Sequence, residues 1–458
     1  MDIVIVGLGK VGYRLATSLS NENNNITAVD TDENVLKVAG DNLDIMCLKG
    51  NAVSVSTLIE AGVKNCDVLI SVTESDEINM ICCLMGKKLG AKYTIARIRE
   101  LYYKDEMPLL IEELGLDMVI NPEEATAHDI ALKLMYEPAS FVESFSEKGA
   151  DLVEILIDTK SIIAGKEVSE IGELAPNILI VSVIRGRNVL IPKGDFVLKT
   201  GDFIYVLGSK EDICQFVKKT SRYEGKKIKT AMIIGGGKIT NYLCDFLNNT
   251  DIRVKIIESN YDIASSIAQK VDKGIVIHGD GTSEDLLLSE ELENMDAFIS
   301  LTGYDENNLM ASLFAKEYGV DKIITKVSRL NYTHIIRRLG LVSIVNPMLI
   351  TSGRILKFIR MLTPHDEASI TNLHKIIDDN AEIIEYRIGE GFDFVNIPLK
   401  SLKIDPHVLV AVIKRKDKII IPKGEDYIAE GDSIIVFSSA PVDADLSSVF
   451  IKRRNEFL

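Results

Sequence analysis

The chain has 458 residues, 46% apolar and 26% charged, which is length for several cores and the composition of a folded protein rather than a disordered one. Its formal charge of −16 and pI near 5.0 argue against nucleic acid or an anionic lipid surface as partner, because both need a basic face. No apolar stretch reaches transmembrane length, and Met1-Asp2-Ile3 runs straight into a predicted strand, so a cytosolic protein without direct lipid insertion is expected.

The first predicted strand, Asp2–Val6, is a β-branched run that ends in Gly7-Leu8-Gly9-Lys10-Val11-Gly12 and passes into a helix over 11–19. Glycines at this spacing serve a tight turn (Gly7), close approach of backbone to a pyrophosphate (Gly9) and helix–strand packing (Gly12). A second strand, Ile26–Asp30, ends in an acid about 20 residues further on, where a carboxylate binds the hydroxyls of an adenosine ribose. A helix over 33–41 and a strand over 45–48 lead to Gly50-Asn51-Ala52. A helix over 53–61 and a strand over 66–73 follow, ending at Thr73-Glu74 and a polar run to Asn79. A helix over 79–89, a strand over 93–98 carrying Arg97, a helix over 108–114 and a strand over 117–120 complete the unit at Asn121-Pro122. Strands alternating with helices predict an α/β fold with a doubly wound parallel sheet.

Beyond Ser140 the pattern becomes strands over 151–157, 178–184, 187–195 and 198–208, a small β-rich α+β module. The basic stretch 225–230 reads as a short linker. The sequence then starts again. Gly235-Gly236-Gly237-Lys238-Ile239 repeats the opening turn 228 residues after Gly7, and Glu258 stands 228 after Asp30. Gly279-Asp280 answers Gly50-Asn51, Thr302 with Asp305 and Asn308 answers the Thr73 region, Lys326 answers Arg97, and Asn346-Pro347 answers Asn121-Pro122. The module recurs too: Ile421-Pro422-Lys423-Gly424 and Gly431-Asp432 echo Ile191-Pro192-Lys193-Gly194 and Gly201-Asp202. Four domains are expected, two Rossmann-like units over 1–135 and 228–365, each followed by a module, over 140–222 and 370–455.

These residues, and above all the duplication, resemble the tandem regulator-of-potassium-conductance (RCK/KTN) family, to which the TrkA-type subunits of potassium uptake systems belong. The resemblance implies a peripheral subunit that assembles as a ring, a homotetramer of tandem chains, under a potassium-translocating membrane protein. It further implies binding of NAD(H) or of ATP and ADP, with a change of ring shape that gates transport. The second half departs from the pattern at Thr240, a β-branched residue at the third glycine position, which leaves nucleotide binding at that turn an open expectation.

In an open parallel sheet the ligand lies at the carboxyl ends of the strands, where Gly9, Asp30, Asn51, Thr73 and Arg97 are expected to converge. Arg97 could reach a phosphate or stack on adenine; a surface ion pair with Glu100 is the plainer role. Lys10 and Lys238 are either phosphate ligands or solvated. The six cysteines show no metal spacing and are expected to be free and buried. The six histidines form no metal pair and read as structural or exposed. Glu123-Glu124 and Glu290-Glu291 read as solvated faces, and both Gly-Asp turns as points where strands begin. No acid–base pair for hydride transfer is visible, so the expected function is non-enzymatic regulation. An NAD-dependent oxidoreductase and a soluble nucleotide sensor without a membrane partner are the alternatives.

Overall fold

The computed structural model describes residues 1–22, 24–135, 139–144, 151–159, 161–186, 188–220, 228–329, 336, 339–341, 343–362, 368–376, 381–416, 418–439 and 446–451. The first unit runs β1 (Asp2–Val6), α1 (Lys10–Ser20), β2 (Asn25–Asp30), α2 (Glu33–Asn42), β3 (Met46–Lys49), α3 (Val55–Glu60), β4 (Val68–Ser71), α4 (Asp76–Leu89), β5 (Tyr93–Arg97), α5 (Met107–Leu114), β6 (Met118–Ile120) and α6 (Pro122–Met135). Its strands lie in the order β3-β2-β1-β4-β5-β6, every pairing parallel, so the winding reverses between β1 and β4. Helices cover both faces, which is why β1 reads as an unbroken apolar run: Ile3 to Val6 are all buried.

The first module follows as β7 (Ala139–Ser144), β8 (Asp151–Leu156), α7 (Val168–Leu174), β9 (Leu179–Arg185), β10 (Asn188–Leu190), β11 (Phe203–Gly208) and α8 (Lys210–Thr220). Its sheet is antiparallel, in the order β10-β9-β11-β8-β7. The second unit repeats the first: β12 (Thr230–Ile234), α9 (Lys238–Asn248), β13 (Arg253–Glu258), α10 (Tyr261–Ala268), β14 (Gly274–His278), α11 (Glu284–Ser289), β15 (Ala297–Ser300), α12 (Asp305–Glu317), β16 (Lys322–Lys326), β17 (Ser343–Val345) and α13 (Pro347–Met361). Its parallel order β14-β13-β12-β15-β16-β17 matches the first position for position. The second module contains β18 (Ala368–Ile376), β19 (Ala381–Ile388), β20 (Lys403–Ile404), β21 (Val408–Arg415), β22 (Lys418–Ile420), β23 (Ser433–Ser438) and β24 (Phe450–Ile451), with a main sheet β18-β19-β23-β21-β22. The two modules pack sheet to sheet, Val181, Ile184, Tyr205 and Leu207 meeting Ile383, Val412, Ile435 and Phe437 in one apolar cluster.

The α/β class, the parallel sheets and the duplication are thus as the sequence predicts, and the differences are local. Helix α4 starts at Asp76 rather than Asn79, because the Ser75 hydroxyl accepts the Ile78 N–H at 3.3 Å and caps it there. The predicted strand over 187–195 contracts to β10. Residues 225–227 of the expected linker lie outside the described residues, and Thr230 already belongs to β12. All six cysteines are free, but only Cys66, Cys82, Cys83 and Cys244 are buried; Cys47 and Cys214 are half-buried.

The main finding absent from the sequence reading is a pair of helices. After each Asn-Pro the chain forms a long helix, α6 and α13. Asn121 Oδ1 accepts the N–H groups of Glu123 and Glu124 at 3.0 Å, Asn346 Oδ1 accepts that of Leu349 at 3.1 Å, and a proline stands in each first turn. Neither helix completes the core of its own unit. Ala127, Ile130, Ala131 and Leu134 of α6 are buried with Ile233, Leu243, Ile256 and Ile299 of the second unit. Ile355, Leu356 and Ile359 of α13 are buried with Ile3, Leu15, Ile70 and Ile95 of the first. The largely buried Arg360 of α13 also pairs with Glu22 of the first unit. Ile130 and Ile355 are fully buried, so Ile130→Ala and Ile355→Ala should each destabilise the full chain by about 3 kcal/mol. Urea denaturation checks this, and a loss below about 1 kcal/mol in either variant would contradict the exchange of helices.

Candidate nucleotide site

The first crevice lies where β1 gives way to α1. Gly7 has φ +91°, and a Cβ there would stand 2.9 Å from the Thr73 nitrogen, so only glycine lets the turn close against the end of β4. A Cβ on Gly12 would stand 1.9 Å from the Gly7 carbonyl oxygen, inside van der Waals contact, which is how α1 comes so close to the turn. At Gly9, the N-cap of α1, a Cβ would meet nothing within 4 Å and would project into the open space a phosphate needs.

Asp30 ends β2 with its carboxylate turned to the turn. Oδ2 accepts the Leu8 N–H at 2.7 Å and Oδ1 that of Asp32 at 2.9 Å. Each oxygen keeps a lone pair for a ribose hydroxyl. Leu8 and Ala52 lie in the core and Val11 packs against it, so these three offer the crevice main-chain groups only. Lys10, Asn51 and Glu74 are exposed at the rim, with Asn51 Oδ1 accepting the Val53 N–H at 3.1 Å.

Thr73 and Arg97 are brought together by a residue the sequence reading gave no role. Asn79, fully buried on α4, accepts from Ser71 Oγ, Thr73 N and Thr73 Oγ1 at 2.9, 2.8 and 2.7 Å. Its amide nitrogen donates to the carbonyls of Thr73 and Arg97 at 3.1 and 2.9 Å. One turn earlier the buried Asp76 accepts the N–H groups of Arg99 and Glu100 at 2.7 and 2.8 Å. The signal was present in the repeat, since Asp305 and Asn308 make the same bonds: Asp305 to the N–H groups of Ser328 and Arg329, Asn308 to Thr302 and to the Lys326 carbonyl.

Arg97 does not pair with Glu100. One Nη donates to the Thr73 carbonyl at 2.5 Å, burial pushes its pKa below the ordinary arginine value with Arg99 adding to the effect, and its buried Nε has no partner among the described residues. The half-buried guanidinium is anchored at Thr73, the residue that closes against Gly7, and its charge suits an anionic ligand there. The ion pair weighed as the alternative at Arg97 is made instead by Arg99, whose Nε and Nη reach Glu123 Oε1 at 2.9 and 2.6 Å. Glu123 is therefore no solvated face: its other oxygen is buried and has no partner among the described residues. Of the second acidic pair, Glu290 is half-buried and both acids approach Lys255, at 3.5 and 3.4 Å. The Gly-Asp turns do begin strands, and both aspartates are buried against arginines, Asp202 with Arg185 and Asp432 with Arg415, each at 2.8 Å.

The second crevice keeps the turn despite Thr240. Gly235 has φ +95°, and Gly237 caps α9 with φ −69° and ψ −171°, against −60° and −173° at Gly9. Thr240 is accommodated by donating its hydroxyl to the Gly235 carbonyl at 2.5 Å. The acid is longer here, and its neighbours compensate. Glu258 Oε2 accepts the Gly236 N–H at 2.5 Å and Oε1 the Asn260 N–H at 2.7 Å, while a Cβ on Gly236 would meet Ile267 Cδ1 at 2.9 Å and Glu258 Cγ at 3.0 Å. Leu8, Asp30 and Ala39 in the first unit thus become Gly236, Glu258 and Ile267 in the second, one volume filled in two ways. Ile239 is core, and Asp280 is held by the N–H and hydroxyl of Thr282, which lower its pKa. Lys238 is half-buried, and its ammonium pairs with Glu100 of the first unit at 2.6 Å instead of standing free in solvent. Beside it Lys104 pairs with Asp245 at 2.6 Å, and Asn121 donates to the Tyr242 hydroxyl at 2.8 Å. His278 Nε2 lies 3.0 Å from the Ser259 carbonyl oxygen; His334 and His365 fall outside the described residues.

A doubly wound sheet with a glycine turn and an acid at the end of the next strand defines a Rossmann-type nucleotide-binding unit, here present twice and each time followed by an antiparallel module. Family models for the TrkA-N domain match residues 3–122 and 231–347, and models for the TrkA-C domain match 152–221 and 383–442. The chain belongs to the TrkA family. It is 31% identical to Trk system potassium uptake protein TrkA homolog 1 of Methanosarcina mazei, over 98% of this chain and 100% of the relative. It is 30% identical to Trk system potassium uptake protein TrkA of Haemophilus influenzae, over 96% of each. Among solved structures the GsuK RCK domain shares the fold with TM-score 0.60 and 16% identity, covering 95% of this chain and 92% of that one. The GsuK channel bound to NAD aligns with TM-score 0.60 and 16% identity, covering 95% and 76%.

Two outcomes follow from these contacts. Asn79→Ala leaves Ser71, Thr73 and the Arg97 carbonyl without their shared partner and should cost about 3 kcal/mol by denaturant titration; a change under about 1 kcal/mol would remove its role. Burial lowers the pKa of Lys326, with Asp305 and Glu123 pulling it back. A lysine whose folded pKa lies below its unfolded one penalises the fold fully below the folded pKa, and the penalty fades as pH rises towards the unfolded value. Lys326→Met should therefore stabilise the ligand-free chain by about 1 kcal/mol at neutral pH and less at alkaline pH, read from melting curves across pH.

Proposed function

We propose that the chain is the nucleotide-binding regulatory subunit of a potassium uptake system. It sits at the cytoplasmic face of the membrane through a potassium-translocating partner protein and gates that partner as a ring of four chains. Among the described residues no helix is long and apolar enough to cross a membrane, so in this reading attachment runs through the partner. Family membership supports the potassium system, and the relatives' names denote uptake proteins rather than enzymes.

The observation that carries the gating part is the wiring between the crevices. Lys238, first residue of the helix at the second glycine turn, is bound to Glu100, which lies in the loop Asp76 holds at the rim of the first. A phosphate at the second turn would compete with Glu100 for Lys238, and one at the first would engage Arg97 three residues before it. A ligand shifts a conformational equilibrium by its difference in affinity for the two arrangements, and one that displaces Glu100 from Lys238 favours an arrangement in which the two rims are no longer tied. In this reading Gly7, Gly9 and Gly12 hold a pyrophosphate, Asp30 binds the ribose and repels a 2′-phosphate, and NAD(H) and ATP or ADP are the ligands. The second site uses Gly235, Gly236 and Gly237 with Glu258.

Calorimetric titration of wild type and Asp30→Ala with ATP, ADP and NADH tests the site. The variant should bind at least about tenfold more weakly, and unchanged affinity would remove the ribose assignment. Incubation with NADH and candidate substrates should leave the nicotinamide absorbance constant; a steady loss would favour an oxidoreductase.

A further inference from the structure

The two crevices differ most where the adenine end of a nucleotide would lie. At the ends of β2 and β3 in the first unit, Lys49 pairs with Glu33 at 2.8 Å, both side chains well exposed. The corresponding positions in the second unit are His278, last residue of β14 and register partner of Glu258, and Tyr261, first residue of α10. The exposed ion pair is replaced by an aromatic pair. The Tyr261 and His278 rings meet edge to face, with centroids 5.6 Å apart and planes at 85°. The imidazole is fixed by the Ser259 carbonyl at 3.0 Å, and Tyr261 is 67% exposed, so its ring supports no core. It stands three residues beyond Glu258.

We infer that Tyr261 and His278 form a base-stacking wall for the purine of the ligand in the second crevice, a selectivity element that the first crevice lacks. The inference rests on the reading of Glu258 as the ribose acid. With phosphates at Gly235–Gly237 and ribose at Glu258, the base leaves on the side away from the turn, towards the rim formed by β13 and β14. An exposed aromatic face there offers stacking that a Lys–Glu pair cannot, and stacking strength grows with the size of the base. A perpendicular contact with the imidazole covers at most one face of the tyrosine ring and leaves the other for the base. The second crevice therefore prefers adenine nucleotides over pyrimidine nucleotides more strongly than the first.

The test uses the full chain carrying Asp30→Ala, which weakens the first site, titrated with ADP and with UDP by calorimetry. Adding Tyr261→Ala should weaken ADP about tenfold and UDP much less, and Tyr261→Phe should restore ADP binding because the ring and not the hydroxyl is needed. Tyr261→Ala with unchanged ADP affinity, while Glu258→Ala abolishes binding, would overturn the wall and leave the ribose assignment standing. If neither Tyr261→Ala nor Glu258→Ala alters ADP affinity, the reading of the second crevice itself fails and the wall with it. Equal weakening of ADP and UDP by Tyr261→Ala would likewise overturn the stacking role.

Discussion

Burial of α6 in the second unit and of α13 in the first ties the two sheets into one mechanical object. Without those helices each sheet would expose an apolar face: Ile130 and Leu134 fill the space over β12 and α9, and Ile355 and Ile359 the space over β1 and α1. Burial of this kind holds the units together, because separating them would return both patches to water. The polar contacts around the exchange are of another sort. Lys238 with Glu100 and Lys104 with Asp245 are partly exposed ion pairs, each worth little and easily re-formed elsewhere. A strong apolar anchor beside weak polar contacts suits two units that stay together while their rims adjust.

The duplicated crevices show how one backbone tolerates two chemistries. Lengthening the acid at the end of the second strand from Asp30 to Glu258 is matched by removal of the Leu8 side chain at Gly236 and enlargement of Ala39 to Ile267, so the turn keeps its dihedral angles. Replacement of the third glycine by Thr240 is absorbed by a hydroxyl bond to the carbonyl it approaches. What changes is the rim. The first crevice has Arg97 anchored at Thr73 and the exposed Lys10, whereas the second has Lys326 and a Lys238 already committed to Glu100. The arginine brings a planar fork of donors that no lysine supplies, so equal affinity for the same phosphates is not expected of the two sites.

The parts legible in the sequence were those with a local cause. Gly7 and Gly12 announce their turn because a Cβ at either would collide with backbone, Gly9 leaves open space between them, the acid ends the next strand, and the repeat fixes both units at once. Helices α6 and α13 had a start signal, Asn-Pro, but were missed because α6 is buried on several sides and shows little of the period that marks a surface helix. Their destination in the other unit has no local signature. Asn79 and Asp76 were passed over as a polar run, although their recurrence as Asn308 and Asp305 pointed to shared bonds. Arg97 and Arg99 lie two residues apart, and nothing in spacing says which one Glu123 takes; only the packed strand ends decide it.

The most direct measurement of the central claim is rubidium or potassium uptake into vesicles containing the membrane partner with this chain bound, followed across a titration of ADP, ATP and NADH. The account predicts that uptake changes with nucleotide and that the midpoint of the change coincides with the binding midpoint on the chain. Saturable nucleotide binding with uptake unaltered at every concentration would contradict it.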